Sequence, residues 1–321
     1  MALLQVFVGI DVSQDWLDVH VHPLDRHTRL ANTPAGWQAL AGELAAWPQA
    51  RIGAEASGGY EAGILRHLAQ AGFTVHRLDA CNVRYFARSG GKRAKNDRLD
   101  AKAIAHYLAT YTLEPTRFDA ARERLAELVT YRRQLVEQRT LVANQARLLA
   151  DPGLARLSRQ RLVRLDALIR QLDARLAEAI AADETLRRKA AVLMSLKGVG
   201  PTLAATLLAL LPELGTVCRR AIAALVGVCP YDFDSGKLRG QRHIAGGRTH
   251  LRNALYMPTL TAIRYHPDLK AFYQRISAGR TNKKPAVIAA MRKLITILNA
   301  RMRDHLDSIN PNPQTNPQTN P

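Results

Sequence analysis

The stretch "VFVGIDVSQDWLDVHVH", residues 6–22, decides the fold. Its first half, VFVGIDVS (6–13), is a nearly continuous apolar run that ends on an acid. Its second, WLDVHVH (16–22), alternates apolar and polar residues. A short continuous run rich in β-branched residues reads as a strand buried on both faces, and strict alternation reads as a half-buried neighbour. RIGAEAS (51–57) and FTVHRLD (73–79) read as further short strands, with helical patterns at 35–47 and 60–71 between them. The order β-β-α-β-α-β predicts an α/β domain built on a mixed sheet. A helix over 97–110 follows, and Pro115 closes the unit.

Two acids stand where the strands end. Asp11 closes the apolar approach in GIDVS, and Glu55 repeats the arrangement in GAEASGGY, an apolar approach, an acid and a glycine turn. A buried strand is a poor place for an unpaired carboxylate, which is costly to desolvate. A second pair lies in GGKRAKNDRLDAKAIA (90–105), where Asp97 and Asp100 are spaced i, i+3 and so share one helix face. Capping by Asn96 or Asp97 accounts for acids in a helix's first turn. Two strand-end acids plus a helical pair also form an oxygen-only set suited to a hard divalent cation: Mg²⁺, with Mn²⁺ as a substitute. Two such ions about 3.5–4 Å apart stabilise the attacking and leaving oxygens of a phosphodiester displacement. Lys92, Arg93, Lys95 and Arg98 in the same stretch would then face a phosphate backbone. Asp15 and Asp18 read as solvent-facing, and Glu61 as surface charge opening a helix.

The charge points the same way. The chain carries a formal +19 over 321 residues, distributed as +1 in 1–120, +6 in 121–194 and +12 in 195–321. Such a gradient implies a polyanion held mainly by the C-terminal half, because counterion release drives binding to phosphates. No apolar run reaches transmembrane length, and MALLQVFVGIDV lacks a basic leader, so no membrane partner and a cytoplasmic bacterial location are expected. Cys81, Cys218 and Cys229 are too few and too scattered for a disulfide framework or a zinc site. They read as buried small residues.

Farther along, Leu128, Leu135, Val142 and Leu149 recur every seven residues, and Leu162, Leu165, Ile169, Leu172, Leu176 and Ala179 keep a 3-4 spacing. With DPG at 151–153 as the break, this predicts two long helices in an antiparallel coiled-coil hairpin. From 193 the chain reads as compact and helical. LMSLKGVGPTLAATLLALL (193–211) is either a tight helix–helix turn or a phosphate-holding helix start. In VGVCPYDFDSGKLRGQRHIAGGRTHLRNALY (226–256), Ser235 reads as a turn residue, followed by Lys237, Arg239, Arg242, His243, Arg248 and Arg252. The tail NPNPQTNPQTNP (310–321) has nothing to bury and reads as disordered.

GIDVS, EASGGYE and NDRLDA, in this order, resemble the DEDD transposases of bacterial insertion sequences of the 110 family. GVCPYDFDSG, GGRTHLRNALYMP and KKPAVIAAMRKL (283–294) resemble that family's C-terminal transposase domain. The match covers about residues 5–305. The resemblance implies a RuvC-like, ribonuclease-H-type domain at 1–117, the hairpin at 118–192, a helical transposase domain at 193–308 and a disordered tail from 309. It makes Asp11, Glu55, Asp97 and Asp100 the metal-binding tetrad and Ser235 a nucleophile that forms a covalent phosphoserine with DNA. It also implies a structured guide RNA from the element, pairing with donor and target DNA. Lys283 and Lys284 join Lys92, Arg93, Lys95, Arg98, Lys237, Arg239, Arg242, Arg248 and Arg252 as candidate nucleic-acid contacts. The apolar stripes, and the need to hold two duplexes at once, predict a homo-oligomer, a tetramer. Two other readings stay open: a RuvC-like junction nuclease using metal-activated water, and a non-catalytic nucleic-acid-binding scaffold.

Overall fold

A computed structural model of the chain describes residues 5–89, 97–232, 240 and 242–309, with the side chains of Asp97 and Arg98 outside the description. The chain divides between Phe118 and Asp119 into two compact units.

The first unit begins with β1 (Phe7–Val12), β2 (Trp16–His22), β3 (Arg26–Ala31) and α1 (Pro34–Leu44), followed by β4 (Arg51–Glu55) and α2 (Glu61–Gln70). β5 (Thr74–Leu78), α3 (Ala80–Ser89) and α4 (Asp97–Thr110) complete it. The five strands form one mixed sheet in the order β3-β2-β1-β4-β5. β1, β2 and β3 pair antiparallel, whereas β1, β4 and β5 run parallel. β1 is central, which is why its sequence is apolar on both faces. Val8, Ile10 and Val12 pack with Leu40, Leu44, Ile64 and Leu68 of α1 and α2 on one side. On the other, Phe7 packs with Leu78, Val83 and with Ile104 and Leu108 of α4.

Two elements lie outside the predicted pattern. β3, RHTRLA, lacks alternating apolar residues and is an edge strand held by its ladder with β2. α3 follows β5 directly, with Asp79 Oδ1 accepting from the amides of Cys81 and Asn82 at its start.

The second unit opens with α5 (Ala120–Ala146) and α6 (Pro152–Ala182). Asp119 and Asp151 cap them, and Pro152 takes the first turn of α6, where a missing N–H costs nothing. Two ion pairs set the packing direction. Arg132 Nε lies 2.6 Å from Asp173, and Arg139 Nε 2.5 Å from Asp166. Seven residues forward on α5 match seven backward on α6, so the helices are antiparallel. Leu128, Leu135 and Val142 are buried with Leu165, Leu172 and Leu176 in the same core. Leu149 of the heptad series lies past the end of α5.

The remaining elements are α7 (Glu184–Met194), α8 (Pro201–Leu210), α9 (Arg219–Val226), the short β6 (Pro230–Tyr231) and β7 (His243–Ile244). α10 (Thr249–Tyr265), α11 (Pro267–Ser277) and α12 (Lys284–Ile309) close the chain. The turn before α8 packs on α10: Gly198 has φ +103°, and a Cβ there would lie 2.7 Å from the Ala262 amide nitrogen. The 193–211 segment is therefore a helix–helix turn whose glycine is required by close packing. The cysteine expectation is corrected. Cys81 and Cys218 are exposed and Cys229 is partly so, the first two because they sit at helix starts that face outward. Among the described residues no helix is long and apolar enough to cross a membrane.

Candidate functional site

Asp11 is the fifth residue of the six-residue β1, half-buried between buried Ile10 and Val12. Glu55 is the last residue of β4 and is also half-buried. The parallel register pairs Gly9 with Gly53 and Ile10 with Ala54, so Asp11 and Glu55 follow at adjacent strand ends on the same face. That face carries α4. A Cβ on Gly9 would collide with the carbonyl of Ala101 and stand 2.5 Å from the Ala105 amide nitrogen, and one on Gly53 would lie 2.7 Å from Leu108. The two glycines thus let the helix backbone onto the sheet.

The same contacts fix the helix direction. Ala101 and Ala105 lie over Gly9, while Ile104 and Leu108 share a cluster with Phe7 at the start of β1. α4 therefore runs antiparallel to β1, with its first turn directed towards the Asp11 end. Asp100 sits in that first turn, one residue before Ala101, and Asp97 opens the helix with its side chain outside the described set. Three of the four predicted acids thus come to the carboxyl ends of β1 and β4, the usual location of ligand sites in open α/β sheets. Among the described residues, no group of three carboxylates, imidazoles or thiols has metal-binding geometry. Asp11, Glu55 and Asp100 all have further interactions within the chain.

Two acids set aside in the sequence reading are not surface charges. Asp18 is buried, contrary to its solvent-facing assignment. It pairs across the ladder with Asp11 and meets His27 Nε2 at 3.2 Å and Arg29 at 3.6 Å. The reason is α4, which covers the polar face of β2 as well as β1: His106 of α4 packs 4.5 Å from the His22 ring, and Lys102 reaches Asp25 at 2.5 Å.

Glu61 is completely buried, correcting its reading as surface charge. Its Oε2 accepts from the amides of Ser57 at 3.1 Å and Gly59 at 2.9 Å, and from the Ser57 hydroxyl at 3.4 Å. Arg77 stands 2.5 Å from Oε1 but off the hydrogen-bonding direction, so the contact is an ion pair rather than a hydrogen bond. Burial alone would raise the Glu61 pKa. The backbone donors and the Arg77 charge outweigh it and hold the carboxyl below its ordinary value. The turn that follows Glu55 is thereby wound around a buried anion. The glutamate six residues after Glu55, behind a Ser-Gly-Gly turn, was the available signal.

The basic candidates divide. Arg242 is exposed and pairs with Asp232, and Lys283 and Lys284 are exposed at the start of α12. Arg248 instead donates to Leu210 O at 2.9 Å and grips both oxygens of Glu213 at 2.8 and 2.5 Å. Burial pulls the Glu213 carboxyl up, and the Arg248 bonds and charge bring it below its ordinary value. Arg252 donates to the carbonyls of Gly227 and Gly246, both at 3.1 Å. These two arginines fasten the start of α10 to the rest of its unit. Lys92, Arg93, Lys95, Ser235, Lys237, Arg239 and the 310–321 tail lie outside the described residues, as does the Arg98 side chain.

Two transposase family models match the chain. The DEDD transposase model of the IS110 family matches residues 8–151, which include Asp11, Glu55, Asp97 and Asp100. A second model, described as transposase of the IS116/IS110/IS902 family, matches residues 190–274. The chain belongs to the IS110 family of transposases. It is accordingly a DNA-recombining enzyme. The transposase is 25% identical to a pilin gene-inverting protein of Moraxella bovis, over 94% of this chain and 97% of that one. It is 26% identical to an IS110 protein of Streptomyces coelicolor over 66% of this chain and 55% of its relative, and 30% identical to an IS900 protein of Mycobacterium paratuberculosis over 52% and 41%.

Proposed function

We propose that the transposase moves or inverts a DNA segment by strand cleavage and exchange, with Asp11, Glu55, Asp97 and Asp100 as the carboxylates of one centre and Ser235 as the nucleophile. The observation that carries this reading is the arrival of α4's acidic first turn at the adjacent ends of β1 and β4. The order β3-β2-β1-β4-β5, with β2 antiparallel, supports a ribonuclease-H-type, RuvC-like domain. The antiparallel α5–α6 pair supports the coiled-coil arm.

The donor set is chemically consistent with Mg²⁺ or Mn²⁺, since all four candidates are carboxylates and they come from three separate elements. A bound divalent cation would neutralise phosphate charge as it develops. The protein's own residues do the rest. Glu61 holds the turn behind Glu55, and Gly9 seats the helix that carries Asp100. The Ser235 oxygen attacks a DNA phosphorus, the bond from phosphorus to one sugar oxygen breaks, and a serine phosphodiester forms. The serine proton passes to solvent while the leaving sugar oxygen gains one. Attack on that ester by a hydroxyl of another strand restores Ser235, so exchange conserves the phosphodiester count.

An element-encoded guide RNA that selects donor and target DNA, a cytoplasmic location and a tetrameric assembly belong to the same reading. The exposed Leu141, Leu148, Leu154, Leu157 and Val163 on α5, α6 and their connection favour assembly. The test is a denaturing gel of element DNA incubated with the protein and Mg²⁺. A strand linked to the wild-type protein, absent with Ser235→Ala and absent under chelation, is expected. Cleavage without any adduct would replace this reading by a metal-activated-water nuclease, and no cleavage would leave a scaffold.

A further inference from the structure

The second unit carries a groove that neither the carboxylates nor the Ser235 chemistry uses. Two depressions of ≈ 310 and ≈ 370 Å³ lie side by side, and both are lined by Ile244 of β7 and Ile288 of α12. The first is bordered by Arg242, Lys284 and Arg292, with Val228 and Pro285 among its apolar lining. The second has Tyr256 of α10, 41% exposed, on its wall. Lys284, Ile288 and Arg292 recur every fourth residue, so cation, aliphatic and cation line one face of α12. That row extends about 12 Å at 1.5 Å per residue. Among the described residues neither Lys284 nor Arg292 has an acidic partner, whereas Arg242 on the same rim pairs with the exposed Asp232, which a phosphate would have to replace.

We propose that this groove holds two consecutive unpaired nucleotides, with the Ile244–Ile288 ridge between their bases. Tyr256 stacks on one base, and Arg242, Lys284 and Arg292 meet the flanking phosphates. The inference rests on the DNA-recombining reading above and adds a site for the strand to it. Each depression is of the size at which small ligands are held. An apolar floor rimmed by cations suits a base face plus its phosphates, because every base has a stacking face and no sequence-specific donor pattern is needed. A fully paired duplex cannot use such a floor, since its base faces are already stacked. Aliphatic side chains set between adjacent bases are an established way to keep a step unstacked. The strand has two possible sources, DNA opened at the exchange point or the unpaired part of a guide RNA, and the chemistry is shared.

The test measures binding of the full chain by fluorescence anisotropy. The probes are a fully paired DNA duplex, the same duplex with two central unpaired deoxynucleotides, and a version with two unpaired ribonucleotides. The wild type is expected to prefer the unpaired probes. Tyr256→Ala should weaken binding to them about tenfold while leaving the paired duplex unchanged, and Tyr256→Phe should keep the wild-type preference. Arg292→Gln should lower the magnitude of the salt slope by about 1 on the unpaired probes only. The paired duplex controls for folding, because a misfolded variant loses both. The stronger of the deoxy and ribo responses assigns the source. Equal affinity of the wild type for paired and unpaired probes, or an undiminished preference for the unpaired probes in Tyr256→Ala, overturns the groove while leaving the recombinase reading intact. Failure of the wild type to bind any probe overturns the nucleic-acid reading itself.

Discussion

Arg77 on β5 places its guanidinium 2.5 Å from the carboxylate of Glu61, a side chain with no solvent exposure at the start of α2. The other carboxylate oxygen gathers the Ser57 and Gly59 amides, so one buried charge ties the neighbouring strand to the turn directly behind Glu55. Acid and base here serve geometry. Glu61 is a positioning residue.

Glu61→Gln keeps the volume and removes the charge, leaving Arg77 without its partner and the turn with a weaker acceptor. Stability should fall by about 2 kcal/mol, the scale of a hydrogen bond to a charged group, because Arg77 is half exposed and regains water. The Mg²⁺ concentration needed for half-maximal cleavage should rise several-fold, and Mn²⁺ binding to the uncleaving protein should weaken in parallel. An unchanged Mn²⁺ affinity alongside the lost stability would reduce Glu61 to a purely structural group.

Gly9→Ala should be among the most damaging small substitutions in the first unit. Its new methyl would meet the backbone of Ala101 and Ala105, not the end of a flexible side chain. α4 must then lift from β1, carrying Asp100 with it, at a cost of about 3 kcal/mol. Urea denaturation checks the stability, and strand cleavage should be lost even where the variant remains folded. Wild-type cleavage by Gly9→Ala would mean that α4 need not sit tightly on β1.

The strands at Phe7–Val12, Trp16–His22, Arg51–Glu55 and Thr74–Leu78 were legible because each carries β-branched or alternating residues between turn signals. β3 was not, since an edge strand pairs through its backbone and leaves little side-chain pattern. Asp18 and Glu61 were misread for a different reason. Alternation along β2 shows two faces but not that α4 will cover the polar one, and a helix-opening glutamate looks the same whether it faces water or three donors. Asp11 and Glu55 stood out because an acid ending an apolar strand conflicts with the local pattern. Gly9 and Gly53 carried their meaning only once α4 was seen to lie on them.

His20 makes the first unit sensitive to acid. Burial, then the charge of Lys102, lowers its pKa from 6.5 to about 4 against an opposing pull from Asp25, with His106 and His22 adding in the same direction as burial. The unfolded chain therefore binds the proton more readily between these two values, and unfolding becomes easier as pH falls through that window. The contribution is complete above pH 6.5 and amounts to about 3 kcal/mol lost by pH 4. His76 shifts in the same direction, also chiefly by burial. Glu61 and Glu213, held below 4.5, contribute down to that pH and lose their share only beneath it. Urea midpoints at about pH 7.5 and about pH 5 should differ for the wild type and differ less in His20→Gln, the remainder belonging to His76. An equal drop in the variant would assign the sensitivity elsewhere.

The arginines of the second unit should separate by assay. Arg248→Ala strands Glu213 and frees the Leu210 carbonyl, so it should cost about 2 kcal/mol, a figure already reduced for the partial exposure of the pair. Its DNA-binding salt slope should stay at the wild-type value. Lys283→Ala and Lys284→Ala should do the reverse, each lowering the slope magnitude by about 1 with no change in the unfolding midpoint. A slope change in Arg248→Ala would show that its guanidinium leaves Glu213 to meet phosphate.

The last prediction concerns which chains build one site. Asp100 and Ser235 are separated by the whole α5–α6 pair, and the proposed chemistry needs both around one phosphate. Helices of 27 and 31 residues extend about 40–46 Å at 1.5 Å per residue, and an antiparallel return brings the chain back near its start. A site within one chain is the alternative to be tested. Exchange between two duplexes, however, needs several subunits in one complex, and the exposed leucines around the α5–α6 connection offer them a contact. The expected arrangement combines the carboxylates of one subunit with Ser235 of another. Asp11→Ala and Ser235→Ala should each be inactive alone, and mixing them under conditions that allow subunit exchange should restore recombination, because some sites then receive four intact acids and an intact serine. If every site is built within one chain, each site in the mixture keeps one lesion and no activity returns. Exchange itself is verified by co-purifying differently tagged chains, so a silent mixture of exchanged subunits would rule out the shared site.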